Sequence, residues 1–300
     1  MLRLLGTIFA GLLGLAFGSF LNVCLSRWPA GESIVTPRSH CRTCNRTLVW
    51  WENIPVMSWL ILRGRCRTCG TRISVRYPLV ELSIGVLWAV AVYTWSPIPT
   101  ASFPDARATA VSVIDVLGQM ILCWLLVALA ALDAENLWLP DRLTLPGAAT
   151  GFLVFLLDLK LNSDRILDFY GAKGLQSRVM FQWASNRLAA ILAAALLILI
   201  IRWLYKLIRH REGIGLGDAK LMALLAAWLG LPGALLSFSI GVFLGAIVAL
   251  VVLAIPVKKR NDEAWSLTKL PLGTFLCIGG IISALWGHPI LAAYSRFAGF

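Results

Sequence analysis

Charged residues are scarce in this chain, and acidic ones are the scarcest. Only 14% of its 300 residues are charged, whereas 59% are hydrophobic. A soluble domain of this length carries far more charge, so the composition excludes one and indicates a polytopic membrane protein. The net charge of +12 points to membrane topology rather than nucleic-acid binding, because Lys and Arg collect on the cytoplasmic side of a membrane.

Several catalytic motifs are also missing. The chain has no Gly-x-Ser-x-Gly sequence, no His-Glu-x-x-His sequence and no phosphate-binding Walker sequence. These absences disfavour an esterase-type hydrolase, a zinc protease of the common type and a nucleotide hydrolase. Its three histidines, His40, His210 and His288, are scattered along the sequence.

Long apolar runs predict an all-α fold with eight membrane-spanning helices. The runs lie near residues 4–25, 79–97, 111–132, 142–158, 187–206, 219–235, 237–256 and 270–290. Only Gly230-Leu231-Pro232-Gly233 separates the sixth run from the seventh, which predicts a helical hairpin. The first run reaches about Leu25 without a small-residue cleavage site, so we expect a retained helix and not a signal peptide.

Charge in the connecting segments predicts their side of the membrane. Four connections carry 19 of the 27 Lys and Arg residues: 26–78, 133–142, 202–220 and 257–269. Because the side richer in Lys and Arg stays in the cytoplasm, we expect these four connections there and both termini in the periplasm. The long 158–187 segment is then an outward-facing loop.

The seven cysteines fall into two groups. Three sit singly in apolar runs and are expected to pack as small hydrophobic residues: Cys24, Cys123 and Cys277. Four lie in the 26–78 connection as a duplicated Cys-Arg-Thr-Cys motif: Cys41, Cys44, Cys66 and Cys69. Four thiolates can close a tetrahedral structural zinc site. A pair of disulfides is the alternative, which a reducing cytoplasm disfavours.

Acids at the ends of apolar runs are the candidate catalytic residues. Asp218 follows three alternate glycines within residues 213–220, and Asp133 directly continues the third apolar run. Ionisable groups at such membrane positions are functional candidates by default. The alternatives are an acid at the positive end of a helix dipole for Asp218, and a carboxylate reaching the interface for Asp133. Asp141 follows Pro140, and we expect it to cap the next helix.

Asp133 and Asp218 are predicted to lie at the same cytoplasmic depth on different helices. If their carboxylates face each other, the pair can share one proton, activate water and protonate a departing group. That is the chemistry of aspartic proteases. The matched depth permits this meeting without requiring it.

These residues resemble the type IV prepilin peptidases, membrane aspartic proteases of the Gly-x-Gly-Asp class. The similarity comprises both cysteine pairs and six further segments in order: 18–23, 51–58, 76–81, 132–141, 213–220 and 271–273. By resemblance, Asp133 and Asp218 are the catalytic aspartates. The 158–187 connection is longer than the family pattern implies.

The resemblance also implies substrates and cofactors. The implied substrates are prepilins and pseudopilins, whose basic leaders are cut at the cytoplasmic face of the bacterial inner membrane. No nucleic-acid partner is implied. The family form with the cysteine loop also N-methylates the new terminus using S-adenosylmethionine. Gly18, Asn22 and Glu81 are candidates for binding this methyl donor, with helix packing as the alternative role.

A three-part organisation follows from these assignments. Residues 1–25 form the first helix, 26–78 the zinc loop and 79–300 the peptidase core. Two other functions compete with the bifunctional enzyme: a leader peptidase without methyltransferase activity, and a non-enzymatic membrane adaptor that uses the zinc loop to bind a partner. A transporter is a third, because acids within the membrane also serve proton pathways.

Overall fold

The described part of the chain has only helices as regular structure. A computed structural model describes residues 1–95, 106–163, 176–210, 215–254 and 270–299. Gly213, Ile214, the connection 257–269 and the middle of the 158–187 connection lie outside the described residues. Within the described ranges two isolated bridges occur but no strand, which confirms the all-α prediction.

Eight α-helices form in the described residues. They are α1 (Leu2–Arg27), α2 (Met57–Ile61), α3 (Arg76–Trp95), α4 (Ala106–Asn136), α5 (Asp141–Leu161), α6 (Gln176–Arg209), α7 (Leu216–Ala254) and α8 (Leu272–Ala298). A short 3₁₀ turn, Trp50–Asn53, precedes α2. Every helix except α2 is long and apolar enough to cross a membrane. The chain divides into two compact units, Met1–Ala128 and Leu129–Phe300.

In the first unit, α1 packs closely against α3 through glycines. A Cβ atom on Gly14 would lie 2.9 Å from the Cα of Gly85, and one on Gly18 would lie 2.6 Å from the Cα of Glu81. Gly14 and Gly18 are four residues apart, so they share one face of α1. Such small-residue spacing lets two membrane helices bring their backbones together.

Tryptophans tie the first part of α4 to this pair. Trp88 on α3 donates its indole N–H to the carbonyl of Met120 on α4 at 2.9 Å. Trp124 on α4 donates to the carbonyl of Phe17 on α1 at 3.3 Å. Both indoles therefore join helices, and the buried N–H of Trp88 finds the acceptor that it needs.

In the second unit, α7 reverses direction at Gly230. Its φ of 71° and ψ of 178° are not helical, and a positive φ of this kind suits glycine. Both ends of α7 lie near the first turn of α8. A Cβ on Gly217 would touch Leu139, which also borders Gly273 of that turn. A Cβ on Gly245 would touch Phe275 of the same turn. A straight helix would separate residues 217 and 245 by about 42 Å. The predicted hairpin is therefore confirmed, and the seven long helices offer eight candidate spans.

The start of α5 corrects one expectation. Pro140 occupies the N-cap with an extended backbone, φ −70° and ψ 135°, and no side-chain cap bond forms. Asp141 is the first helical residue, and its carboxylate pairs with Lys220 on α7. The prediction that Asp141 caps α5 is wrong, because the backbone becomes helical at Asp141 itself and its side chain turns to a cation on another helix.

Candidate active site and cysteine cluster

Asp133 lies near the end of α4 and is held by the first turn of α8. Only 6% of the residue is exposed. Its Oδ2 accepts the backbone N–H of Thr274 at 2.7 Å and lies 3.2 Å from the Thr274 hydroxyl. Amide groups in the first turn of a helix have no partner within the helix. The carboxylate of Asp133 therefore caps a helix other than its own.

Asp218 lies in the first turn of α7 and is 7% exposed. Its Oδ2 accepts the backbone N–H of Gly215 at 3.2 Å. This contact is the one that an acid at the third helical position makes with the N-cap amide. Asp218 thus lies at the positive end of its own helix dipole and Asp133 at the positive end of the α8 dipole, which favours negative charge.

The two aspartates belong to one site in the second unit. A Cβ on Gly273 would lie 2.9 Å from Oδ2 of Asp133 and 3.0 Å from Cδ1 of Leu139. A Cβ on Gly217, beside Asp218, would lie 3.1 Å from the same Leu139 methyl carbon. The carboxylates are close enough to interact electrostatically. Leu139 and the two glycines therefore pack around the pair.

The charges of the described residues around this pair are unbalanced. Among the described residues, no Lys, Arg or His forms an ion pair with Asp133 or Asp218. Two carboxylates without a cation between them avoid mutual repulsion by sharing a proton. Lys220, two residues after Asp218, pairs instead with Asp141, and both of those side chains are substantially exposed. Asp141 is therefore outside the buried pair.

The duplicated cysteine motif of the first unit forms two matching turns. The amides of Asn45 and Gly70 donate to the carbonyls of Cys41 and Cys66 at 2.8 and 3.0 Å. Asn45 has φ 53° and Gly70 has φ 68°. Asn and Gly tolerate this left-handed conformation better than other residues. The sequence repeat therefore produces a structural repeat, with one Cys-x-x-Cys pair on each turn.

The four thiols of these turns converge. Their Sγ atoms all lie within 4.8 Å of one another, and those of Cys41 and Cys69 are 3.7 Å apart. Zn–S bonds of about 2.3 Å in a tetrahedron put the sulfurs about 3.8 Å apart, so this donor set fits zinc. Backbone amides lower the pKa of Cys41. Hydrogen bonding with Thr71 lowers the pKa of Cys69 to about 6, which favours the metal-binding thiolate.

A buried acid supports the first of these turns. Glu52 accepts a hydrogen bond from Arg46 at 2.6 Å and another from the backbone N–H of Val49 at 2.9 Å. The Arg46 guanidinium keeps the pKa of Glu52 below its ordinary value. This charged contact fixes the segment that follows Cys44 against the 3₁₀ turn.

Three residues of the site were not singled out by the sequence analysis. Thr274 binds Asp133, Leu139 packs between the two glycines, and Lys220 pairs with Asp141. The 271–273 motif ends one residue before Thr274, so its position signalled a site at the start of α8. No sequence signal distinguishes Leu139 from the many other leucines of the chain.

Two protein-family profiles match this chain. The one described as the bacterial peptidase A24 N-terminal domain covers residues 12–95. The one described as the type IV leader peptidase family covers residues 120–250, a range that includes Asp133 and Asp218.

Curated relatives match nearly the whole chain. Proteins named prepilin leader peptidase/N-methyltransferase from Pseudomonas putida, Pseudomonas aeruginosa and Burkholderia pseudomallei are 32%, 33% and 36% identical to it. The alignments cover 97%, 96% and 94% of this chain and 94%, 93% and 85% of the respective relatives. No solved structure gives a significant match. With this identity over almost its full length, the chain belongs to the type IV leader peptidase family.

Proposed function

We propose that this chain removes the basic leader from prepilins and pseudopilins and then methylates the new amino terminus. The names of the relatives support both activities. The observation that carries the peptidase activity is the pair Asp133 and Asp218, both buried, with no ion-pair partner for either among the described residues. Helix capping accounts for each acid singly, but burying two acids within electrostatic range of each other costs free energy and points to a further role.

Asp133 and Asp218 act as general base and general acid in the proposed cleavage. One carboxylate takes a proton from the attacking water, and the other gives a proton to the departing amine. The bonds from Thr274 and Gly215 both end on Oδ2. We therefore assign Oδ1 of each aspartate to water and substrate, with Leu139 restricting access by bulk water.

The cleavage site is assigned to the cytoplasmic face of the inner membrane, with both chain termini in the periplasm. The support is the 19 of 27 Lys and Arg residues in the connections on that side. A prepilin helix already in the bilayer brings its leader to a site at this depth, because membrane placement supplies much of the orientation.

The first function test is an assay of the purified full-length protein with a prepilin peptide, with and without S-adenosylmethionine. We expect leader cleavage in both conditions and methylated product only with S-adenosylmethionine. Cleavage without methylation would support the alternative of a leader peptidase without methyltransferase activity. If the protein showed neither activity, the result would favour the membrane adaptor and would contradict the proposal.

The four-cysteine cluster is assigned to one structural zinc ion. The convergence of Cys41, Cys44, Cys66 and Cys69 supports this. Four thiolates fill the coordination sphere of zinc, so the ion would stabilise the loop and leave no open position for catalysis.

Zinc content should therefore depend on the four clustered cysteines and not on the total number of cysteines in the chain. Purified wild-type protein should hold about one zinc per chain, and the Cys41→Ala/Cys44→Ala double variant should hold almost none. The matched control is Cys24→Ala/Cys123→Ala, which removes two buried cysteines of the same unit. Elemental analysis checks the ratio. Wild-type protein without zinc, with the four thiols joined as disulfides, would refute the assignment.

Asp141 should contribute little to cleavage. Asp141→Asn removes only an exposed ion pair with Lys220, and such pairs stabilise proteins weakly. We expect kcat/KM for prepilin cleavage to fall by less than about fivefold. If Asp141→Asn abolished cleavage in a folded, zinc-loaded protein, the dyad would have to be redrawn as Asp141 with Asp218.

A further inference from the structure

Glu81 is a buried carboxylate that the peptidase site does not use. It lies on α3 in the first unit, is 7% exposed, and packs against Gly18 of α1. Its Oε2 accepts the backbone N–H of Val56 at 2.7 Å. Among the described residues, no Lys, Arg or His forms an ion pair with it. A buried acid without a counter-cation is costly, and its retention needs a reason.

Asn22 supplies an unsatisfied acceptor beside Glu81. The residue is 2% exposed, and its Nδ2 donates to the carbonyl of Tyr77 at 2.9 Å. Its Oδ1 is buried and has no hydrogen-bond partner. The side chains of Ser19 and Asn22 also lie within hydrogen-bonding range of the Glu81 carboxylate. Buried polar atoms in proteins are nearly always paired, so an orphaned oxygen next to a buried acid indicates a missing donor or cation.

The segment over Glu81 is held in an unfavourable conformation. Val56, which donates its amide to Glu81, has φ 61°. That region is strongly disfavoured for a β-branched residue, and such strain clusters at ligand and active sites. The same valine immediately precedes α2.

We propose that Glu81 and Asn22 bind the cationic end of a ligand, a sulfonium or an alkylammonium. This rests on the proposed methyl transfer, which offers two sources: S-adenosylmethionine, which carries both groups, and the amino terminus of the cleaved substrate. The carboxylate supplies the charge and Oδ1 of Asn22 supplies a second acceptor. The residues thus fit the charge of the methyl donor, which supplies an electrophilic methyl group when bound.

Equilibrium binding to full-length protein in nanodiscs tests this site. The probes are S-adenosylmethionine, the uncharged-sulfur analogue S-adenosylhomocysteine and a pre-cleaved prepilin peptide. Glu81→Gln keeps an acceptor for Val56 but removes the charge. It should raise Kd for at least one probe by about tenfold or more, since hydrogen bonds with an ionised partner are the strong ones. The control is Ser83→Ala, an exposed position on the same helix, which should change nothing.

The pattern of weakening identifies the source. If only S-adenosylmethionine loses affinity, the site binds the sulfonium. If S-adenosylhomocysteine loses affinity equally, the site binds the amino-acid end of the donor. Loss for the peptide alone indicates the acceptor amine. Unchanged Kd for all three probes would overturn the proposal, provided that the variant retains zinc and leader cleavage.

A second variant covers misfolding. If Glu81→Gln loses zinc and cleavage, Asn22→Ala is tested instead and should weaken binding of at least one probe several-fold. Unchanged binding of all probes by Asn22→Ala would also overturn the proposal. Wild-type protein that cleaves but neither binds nor transfers a methyl group would remove the proposed methyltransferase activity itself, which is a different failure.

Discussion

Replacing Asp133 or Asp218 with Asn should remove nearly all prepilin cleavage. Each carboxylate is assigned one half of the proton transfer, and Asn can neither accept nor deliver that proton. Loss of a general acid or base typically lowers a rate by about 10²–10⁴-fold. Asn keeps the size of Asp and can still accept the hydrogen bonds from Thr274 and Gly215, so the fold should persist. Single-turnover cleavage of a prepilin peptide measures the effect.

The controls separate lost chemistry from lost structure. Asp141→Asn makes the same chemical change in the same acidic segment and should retain cleavage. Both dyad variants should keep about one zinc per chain and should still methylate a pre-cleaved peptide, since methyl transfer is assigned to other residues. Near wild-type cleavage by folded Asp133→Asn or Asp218→Asn would exclude that residue from the reaction.

Gly273→Ala should also impair cleavage strongly, although the residue carries no functional group. The added Cβ would lie 2.9 Å from Oδ2 of Asp133 and 3.0 Å from Leu139. Because Thr274 holds that oxygen with its backbone amide, the carboxylate must move to accommodate the methyl group. A displacement of about 1 Å in an active site can cost about 10²-fold in rate. We expect this loss in kcat, measured under substrate saturation.

Gly287→Ala is the matched control for this prediction. It makes the same change on the same helix, where the new Cβ would meet Oγ of Ser283 at 3.2 Å and no residue of the aspartate pair. Ala favours the helix at either position, by up to about 1 kcal/mol in the interior, so propensity alone should not impair Gly273→Ala. If Gly273→Ala and Gly287→Ala cleaved equally well, the tight packing around Asp133 would not matter for catalysis.

The spans and the candidate residues could be predicted because their signals are local. Apolar runs longer than a membrane crossing identify helices directly, and Gly230 with Pro232 marks a reversal within a continuous apolar region. A repeated Cys-x-x-Cys motif predicts two similar turns, and the positive φ of Asn45 and Gly70 bears this out. The predicted orientation of the spans depends on charge counts and stays a prediction.

The assembly of the site could not be predicted in this way. Thr274 meets Asp133 across 141 positions of sequence, and no periodicity encodes such a contact. Leu139 is important by position, because it packs between Gly217 and Gly273. The misassigned Asp141 has the same origin: a capping preference is local, whereas its partner Lys220 comes from another helix.

The most direct test of the paired aspartates is a double-mutant cycle of single-turnover cleavage rates. The four proteins are the wild type, Asp133→Asn, Asp218→Asn and the double variant, each checked for zinc content. Residues that act as one unit are strongly non-additive. We therefore expect the double variant to cleave within about tenfold of either single variant. If the two losses instead multiplied, Asp133 and Asp218 would act independently, and the proposed shared-proton pair would be wrong.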